Sequence, residues 1–472
     1  MKNNPQTVNA PSVHTLNCSK REFLQMAGKL SVAGAAAPFA LNLAGIGAAA
    51  AQTANDYKAL VCVFLYGAND HNNTIVTYDT ASFNAYTSAR ASISLPRAGL
   101  LPLTPSVALT GNNAGREFAL AKELAPLKTL WDQNKLAIMA NVGPLVVPTT
   151  KTQFTNLSVP LPPKLFSHND QQSVWQASSP EGARRGWGGR IGDMFAGLNT
   201  NPVFTCNSLA GSAIFLAGNT VAAYQLGTSG SVAIAGLGNT LFGSTAAPNL
   251  MRAIINDGGT SLMSRDLAAT TSRSIAADQQ LSSAFASNID FPLPTDLTTN
   301  SLAAQLRIVS RMIASRASLG AKRQIFLVSL NGFDTHDDQL LTQPLLHAQL
   351  GNALAYFNAN LESMNMSNSV TTFTASDFGR TLTSNGDGSD HGWGSHHFIM
   401  GGAVKGRQYY GTFPVMGLNN NDEVGSGRLL PTTSVDQYAA TLARWFGVSS
   451  TDMSMVLPNI GNFSNTNLGF MV

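Results

Sequence analysis

Four apolar, β-branched runs recur along the chain, and each ends in polar residues: YKALVCVFLYGAND (57–70), KLAIMANVG (135–143), RQIFLVSLNGFDTH (323–336) and SVTTFTASDFGR (369–380). Their apolar positions are nearly continuous rather than alternating, the pattern of strands in a sheet covered on both faces. Between them, apolar residues return at helical spacing in 119–133, 186–198, 301–319 and 338–361, and again in 434–447 near the C-terminus. Strands alternating with helices predict an α/β fold, a three-layer α/β/α sandwich around a mostly parallel central sheet. The stretch 200–300 breaks the alternation. It holds short apolar pieces such as AIFLAG (213–218), a Gly/Ser/Thr-rich run and a polar helical pattern at 272–288. It reads as an irregular insertion or cap on one domain spanning 52–472.

Composition narrows the setting. Of 472 residues, 12% are charged and 44% hydrophobic, with 42 glycines, which suits a compact exported protein and not a disordered one. The formal charge of +3 sits in the first 51 residues, where Lys2, Lys20, Arg21 and Lys29 oppose Glu22. The rest is formally neutral and has no basic runs, which argues against nucleic acid as a partner. SKREFLQ (19–25), then an Ala/Gly-rich weakly apolar stretch ending in AAAAQ (48–52), has the order of an export signal. It resembles a twin-arginine signal with Lys20-Arg21 in place of the arginine pair. The expectation is cleavage near Ala51 and a periplasmic or secreted chain with no stable membrane span. Cys18 lies in this leader, and Cys62 and Cys206 are isolated. A Cys62–Cys206 disulfide and two unpaired core thiols both remain open, with the thiols favoured.

Candidate chemistry gathers at strand ends. Asp70, Asp334 and Asp377 each close an apolar run beside Gly, Asn or Phe, and His71 and His336 follow closely. In open α/β sheets the carboxyl edge is where ligands bind. The loop SDHGWGSHHFIMGG (389–402) adds Asp390, His391, His396 and His397. Carboxylate and imidazole converging from separate strands can hold one or two divalent ions such as Zn, Mn, Mg or Ca. HHFIMGG reads as the start of a strand, so His396 and His397 point to opposite faces. The expected ligands are Asp70, Asp334, His336, Asp377, His391 and His396, with His397 turned into the core or towards a supporting carboxylate. His347 lies on an amphipathic helix and reads as packing or surface. In FSHNDQQSVWQ (166–176), Ser167 and His168 precede a helical pattern. Ser167 is either a helix cap or a nucleophile activated by a metal, with His168 beside it. His71, Asp390, His397, Arg380 and Arg190 are candidates to support the ligands or face an anion, although solvated arginines are the plainer expectation for 184–190.

The order GAND (67–70), FSHND (166–170), GWGGRIGD (186–193), NGFDTHDDQ (331–339), SDFGRT (376–381), GSDHGWGSHHFIMGGAVKG (388–406) and PTTSVDQYAATLARWFG (431–447) resembles a bacterial exported family, domain of unknown function 1501, often called sulfatase-like. The resemblance covers nearly the whole chain after the leader. It implies the alkaline phosphatase-like superfamily, with its α/β/α fold, two-metal site and Ser/Thr nucleophile. By that resemblance Asp70 is a first-strand metal ligand, Asp334 and His336 belong to one metal, and Asp377 belongs to the other. His391 or His396 is then the late histidine, and Ser167 holds the approximate nucleophile position. The chain departs from the superfamily at Phe378, where a histidine is usual, and in the short spacing from Asp334 to His336. It also lacks the Cys/Ser-x-Pro-x-Arg maturation motif of sulfatases. The resemblance implies a metal-dependent hydrolase of small anionic phosphate or sulfate esters, with a non-catalytic binding or assembly protein as the alternative. Frequent gene neighbourhood with an exported family numbered 1800 implies a protein partner.

Overall fold

The first apolar run becomes the central strand of the main sheet in the computed structural model, which describes residues 56–472 apart from 235 and 239. The expected export leader, 1–51, with Cys18, lies outside the described residues. Strand β1 (Lys58–Tyr66) is buried everywhere but at its two ends. Next in chain order come helix α1 (Thr80–Ala89), helix α2 (Ala125–Asp132), strand β2 (Leu136–Gly143), helices α3 (His168–Ala177) and α4 (Trp187–Phe195) and strand β3 (Cys206–Ser208). Helices α5 (Leu262–Ala286) and α6 (Ser301–Ala314) lead to β4 (Arg323–Asn331), α7 (Gln339–Ser363) and β5 (Val370–Ser376). A hairpin of β6 (Arg380–Ser384) and β7 (Ser389–His391) precedes β8 (Ser395–Met400) and helix α8 (Val435–Phe446).

The sheet order is β2-β8-β5-β1-β4-β3, extended by Tyr409–Tyr410 beside β2 and by Tyr224–Gly227 and Gly230–Ser231 beyond β3. Strands β5, β1, β4 and β3 pair in parallel, and β8 runs antiparallel between β5 and β2. The sheet is thus mixed and mostly parallel. Alternate residues of β1 face opposite ways. Ala59, Val61, Val63 and Leu65 pack with α2, α6 and α7, whereas Leu60, Cys62 and Phe64 pack with α3, α4 and α8. Two helical layers therefore cover one sheet, and each fully buried Val, Leu or Phe contributes about 1.5–3 kcal/mol. Cys62 and Cys206 are both free and buried, and burial pushes both thiols up. They are core residues, with no disulfide between them.

Two features sharpen the expectation. The first part of 200–300, read as an irregular insertion or cap on the one domain, contributes β3 and two short strands that continue the sheet. The helical pattern at 272–288 is the second half of the longer α5. Among the described residues, no helix is long and apolar enough to cross a membrane.

In-register parallel pairing sets Tyr66 level with Asn331, and Leu65 level with Ser376. The loops after β1, β4 and β5 consequently leave one edge side by side. Gly67 makes the closest approach possible. Its φ is +104°, and a Cβ there would lie 2.4 Å from the Asp334 amide nitrogen. Only glycine tolerates both conditions.

Candidate metal centre

Three imidazoles and a carboxylate meet above that edge. Asp334 and His336 follow β4, His168 opens α3, and His391 ends β7. His168, Asp334 and His391 each offer a ligand atom, all within 4.8 Å of one another. The Nε2 atoms of His168 and His391 are 3.1 Å apart. Asp334 Oδ2 is 3.4 Å from His168 Nε2, and its Oδ1 is 3.4 Å from His391 Nε2. His336 joins through its Nε2, 2.9 Å from His391 Nε2 and 3.1 Å from Asp334 Oδ1.

Hydrogen bonding on the other ring nitrogens decides what these atoms can do. His391 Nδ1 is 2.7 Å from the Phe166 carbonyl oxygen, so it carries the proton and donates it. His168 Nδ1 is 2.5 Å from Asp377 Oδ2, and His336 Nδ1 is 3.2 Å from Asp390 Oδ1. The Phe166 carbonyl fixes the His391 proton on Nδ1 and Asp377 draws that of His168 to Nδ1, so those two Nε2 lone pairs face each other beside Asp334, while His336 has a carboxylate on each ring nitrogen. That arrangement is repulsive for neutral rings and is relieved by a cation. Ligand atoms about 2.0–2.1 Å from a tetrahedral ion lie roughly 3.3 Å apart, which these separations match. An imidazole-rich set suits zinc or another imidazole-binding metal better than magnesium or calcium.

The surroundings hold this geometry. Arg380, fully buried, donates from Nη1 to Asp334 Oδ1 at 2.5 Å and from Nη2 to the Ser389 carbonyl, and it is the register partner of His391. Burial pushes the Asp334 carboxyl up, but the Arg380 hydrogen bond and charge outweigh it and leave it below the usual range. The Asp377 hydrogen bond raises His168, so a metal competes there with a proton. Burial lowers His391 against the pull of the Phe166 carbonyl. Phe166 itself sits at φ 72°, a left-handed conformation that is costly for a bulky residue and turns its carbonyl to His391. Gly388 lets the hairpin approach His336, because a Cβ there would lie 2.1 Å from the His336 carbonyl oxygen. The His168 and His391 side chains are 25% exposed and Asp334 45%, leaving the group open to a solute.

Several expected ligands lie elsewhere. Asp377 is one bond removed, a fully buried carboxylate that receives His168 and, at 2.9 Å, Gln172 Nε2. Asp70 forms a fully buried ion pair with Arg90 and accepts from Gln339 Nε2 and, at 3.1 Å, the Asn72 amide. It is fully buried and does not belong to the group that His168, Asp334 and His391 form. His396 accepts the Asn141 amide at Nδ1, 2.9 Å away, inside the sheet, and packs on His71 and Phe413. His397 lies against Trp175 and Tyr438 with Nδ1 3.3 Å from Thr374 Oγ1, in the core. His71 is buried beside His396, and burial holds it down to about 3. Arg190 donates to the carbonyls of Val456, Ala177 and Arg185, joining helices instead of facing an anion. His347 packs in the core, its Nε2 3.0 Å from Thr74 Oγ1. Ser167 occupies the cap position of α3 without capping it, and its Oγ donates to Asp170 Oδ2 at 3.1 Å. The partners that sequence reasoning passed over are Asp170, three residues from Ser167 within FSHND, and Arg90, Gln172 and the Phe166 carbonyl, which lie far in sequence from the groups they serve.

Fold and site together define an α/β sandwich that carries a His/Asp group at the carboxyl edge of its sheet. The chain belongs to the family described as protein of unknown function (DUF1501), which matches residues 57–457. No curated protein matches it. Among solved structures it is similar to Ps i-CgsB in complex with k-i-k-neocarrahexaose, at 9% identity and a TM-score of 0.34, over 86% of this chain and 77% of that one. It is also similar to the PsFucS1 sulfatase from Pseudoalteromonas sp., at 11% identity and a TM-score of 0.33, over 87% and 72%. A mutant of the alkaline phosphatase PafA follows at 12% identity and a TM-score of 0.26, over 69% and 64%.

Proposed function

We propose that this protein is an exported, metal-dependent hydrolase of small phosphate or sulfate esters. One observation carries the reading: the Nε2 atoms of His168, His336 and His391 converge beside Asp334, while each Nδ1 contacts a carboxylate or a carbonyl. An ion bound there would supply Lewis acidity towards an ester oxygen. His168, His391 and Asp334 would hold the ion, His336 would complete the set, and Arg380 fixes the orientation of Asp334. Ser167 stands between Phe166 and His168, both in contact with His391. Its hydroxyl proton already points at the Asp170 carboxylate. Ser167 is assigned as nucleophile and Asp170 as the acceptor of its proton. Phosphate esters are favoured over sulfate esters because the sulfatase maturation motif is missing from the sequence.

The test is metal analysis of the purified mature chain, followed by assays on 4-nitrophenyl phosphate and 4-nitrophenyl sulfate. Bound metal is expected, with turnover lost on chelation and in S167A while S167A keeps its metal. A chain that binds no metal and hydrolyses neither ester sinks the reading. Export by the twin-arginine route belongs to the same proposal, and a reporter fused after residue 51 tests it by its compartment.

A second reading, a non-catalytic binding or assembly protein that keeps a structural metal, is favoured by one observation. Phe242, Leu250, Ile254, Leu262 and Met263 are strongly exposed on the segment that departs from the regular alternation. On this reading the partner proposed for the surface is a member of the exported family numbered 1800. Co-purification of such a partner with a metal-loaded, inactive chain, abolished by serine substitutions in the patch, supports it.

A further inference from the structure

An anionic ester needs a positive partner besides the metal, and most nearby arginines are already engaged. Arg380 is taken by Asp334 and Ser389, Arg90 by Asp70, and Arg190 by backbone carbonyls. Arg428 is different. Its Nε donates to the His391 carbonyl at 3.0 Å, and its guanidinium lies 4.6 Å from the centre of the Phe166 ring. Phe166 in turn accepts the His391 Nδ1 proton. Arg428 is thus packed against both residues that meet behind the metal group. It is half-buried, and among the described residues no carboxylate pairs with it and neither Nη donates to protein.

The turn that carries it is held firmly. Buried Glu423 accepts the amides of Gly425 and Gly427 at 2.7 and 2.8 Å, and Val424 donates to the Arg428 carbonyl at 2.9 Å. The Gly427 carbonyl accepts from Leu382 at 2.7 Å, tying the turn to β6, the strand that begins with Arg380. Gly427, at φ +74°, allows this contact, because a Cβ there would lie 2.6 Å from the Thr383 amide nitrogen. A side chain with one donor anchored and two Nη groups free, on a braced turn, is preorganised for an external anion. The planar guanidinium fork matches two oxygens of a tetrahedral oxyanion.

We infer that Arg428 is the anion-binding residue of this site and receives the non-bridging oxygens of a phosphate or sulfate group. The role in ester turnover rests on the hydrolase reading above, but the binding of the anion does not. The experiment is calorimetric titration of inorganic phosphate, and separately of sulfate, into the metal-loaded mature chain, for wild type, R428Q and R428K. Metal content and thermal midpoint are measured for each. R428Q is expected to weaken anion binding at least 10-fold and R428K several-fold, with metal content unchanged. Equal affinity in wild type and R428Q, or loss of metal from R428Q, overturns the assignment, the latter because Arg428 would then only position His391. If R428Q does not fold, R428K carries the test, and unchanged affinity there overturns it. Anion binding through Arg428 without ester turnover removes the hydrolase reading alone. Turnover with an unaltered KM in R428Q removes Arg428 alone.

Discussion

His168, His336 and His391 stand partly open to solvent, each with one ring nitrogen held by a carboxylate or a carbonyl. His71, His396 and His397 are buried, among the described residues no carboxylate serves their rings, and burial pushes all three well below the ordinary histidine range. His391 and His396 come from one short loop, yet fall into different sets. The comparison teaches that local histidine density does not make a ligand. An imidazole becomes one when its Nδ1 proton has an acceptor and its Nε2 faces other donors across accessible space. The aspartates divide in the same way. Asp70 and Asp334 end neighbouring strands and each meets a buried arginine, but Asp70 is sealed with Arg90 whereas Asp334 remains half-exposed beside the imidazoles.

The largest expected effect comes from acid and separates the buried set from the open one. His71 and His397 are each held down to about 3, against about 6.5 unfolded. The unfolded chain therefore binds more protons between those values, so stability is full above about pH 6.5 and declines as pH falls towards 3. Each histidine removes about 1.4 kcal/mol per pH unit, and the pair roughly 5 kcal/mol by pH 4.5. Urea midpoints measured from pH 7 to 4.5 check this, and H397L should flatten the slope by one histidine's share, about 1.4 kcal/mol per pH unit, because buried His71, His396 and His347 still contribute. Next in size, Asp70→Ala strands the buried Arg90 charge and should cost about 3–5 kcal/mol in urea unfolding. A small loss would mean that the pair is not sealed.

Between the two sets, His391→Ala should lower metal affinity by more than about 100-fold, beyond what losing an outer partner costs. His396→Ala should leave metal content unchanged. Equilibrium dialysis against zinc distinguishes the two, and equal losses would dissolve the distinction between the sets. The smallest effect belongs to Asp377→Asn, which keeps a group near His168 Nδ1 but loses the charge. About 10–100-fold weaker metal binding with little change in thermal midpoint is expected. A loss as complete as that of His391→Ala would make Asp377 a direct ligand after all.

Much of this was legible in the chain. The four apolar runs became β1, β2, β4 and β5, and the clustering of Asp334, His336, Asp377 and His391 at one edge followed from strands that end in polar residues. The parity of His396 and His397 was readable too, but parity does not say where a strand lies. β8 runs antiparallel within the sheet, with His397 level with Met139, so both residues sit among neighbours below the edge. His391 instead sits in the hairpin beyond it, paired with Arg380.

The sequence by itself determined the elements, their layering and the family, because burial of apolar periodicity is a local property that each segment carries alone. Only the tertiary structure decided which charges neutralise each other and which are left to face a ligand. His168 and His391 are 223 residues apart, and Asp70 and Gln339 are 269 apart, yet each pair lies within hydrogen-bonding distance. Interactions between polar atoms act over a few ångströms, so their partners are set by where the chain returns in space and not by what stands beside them in order.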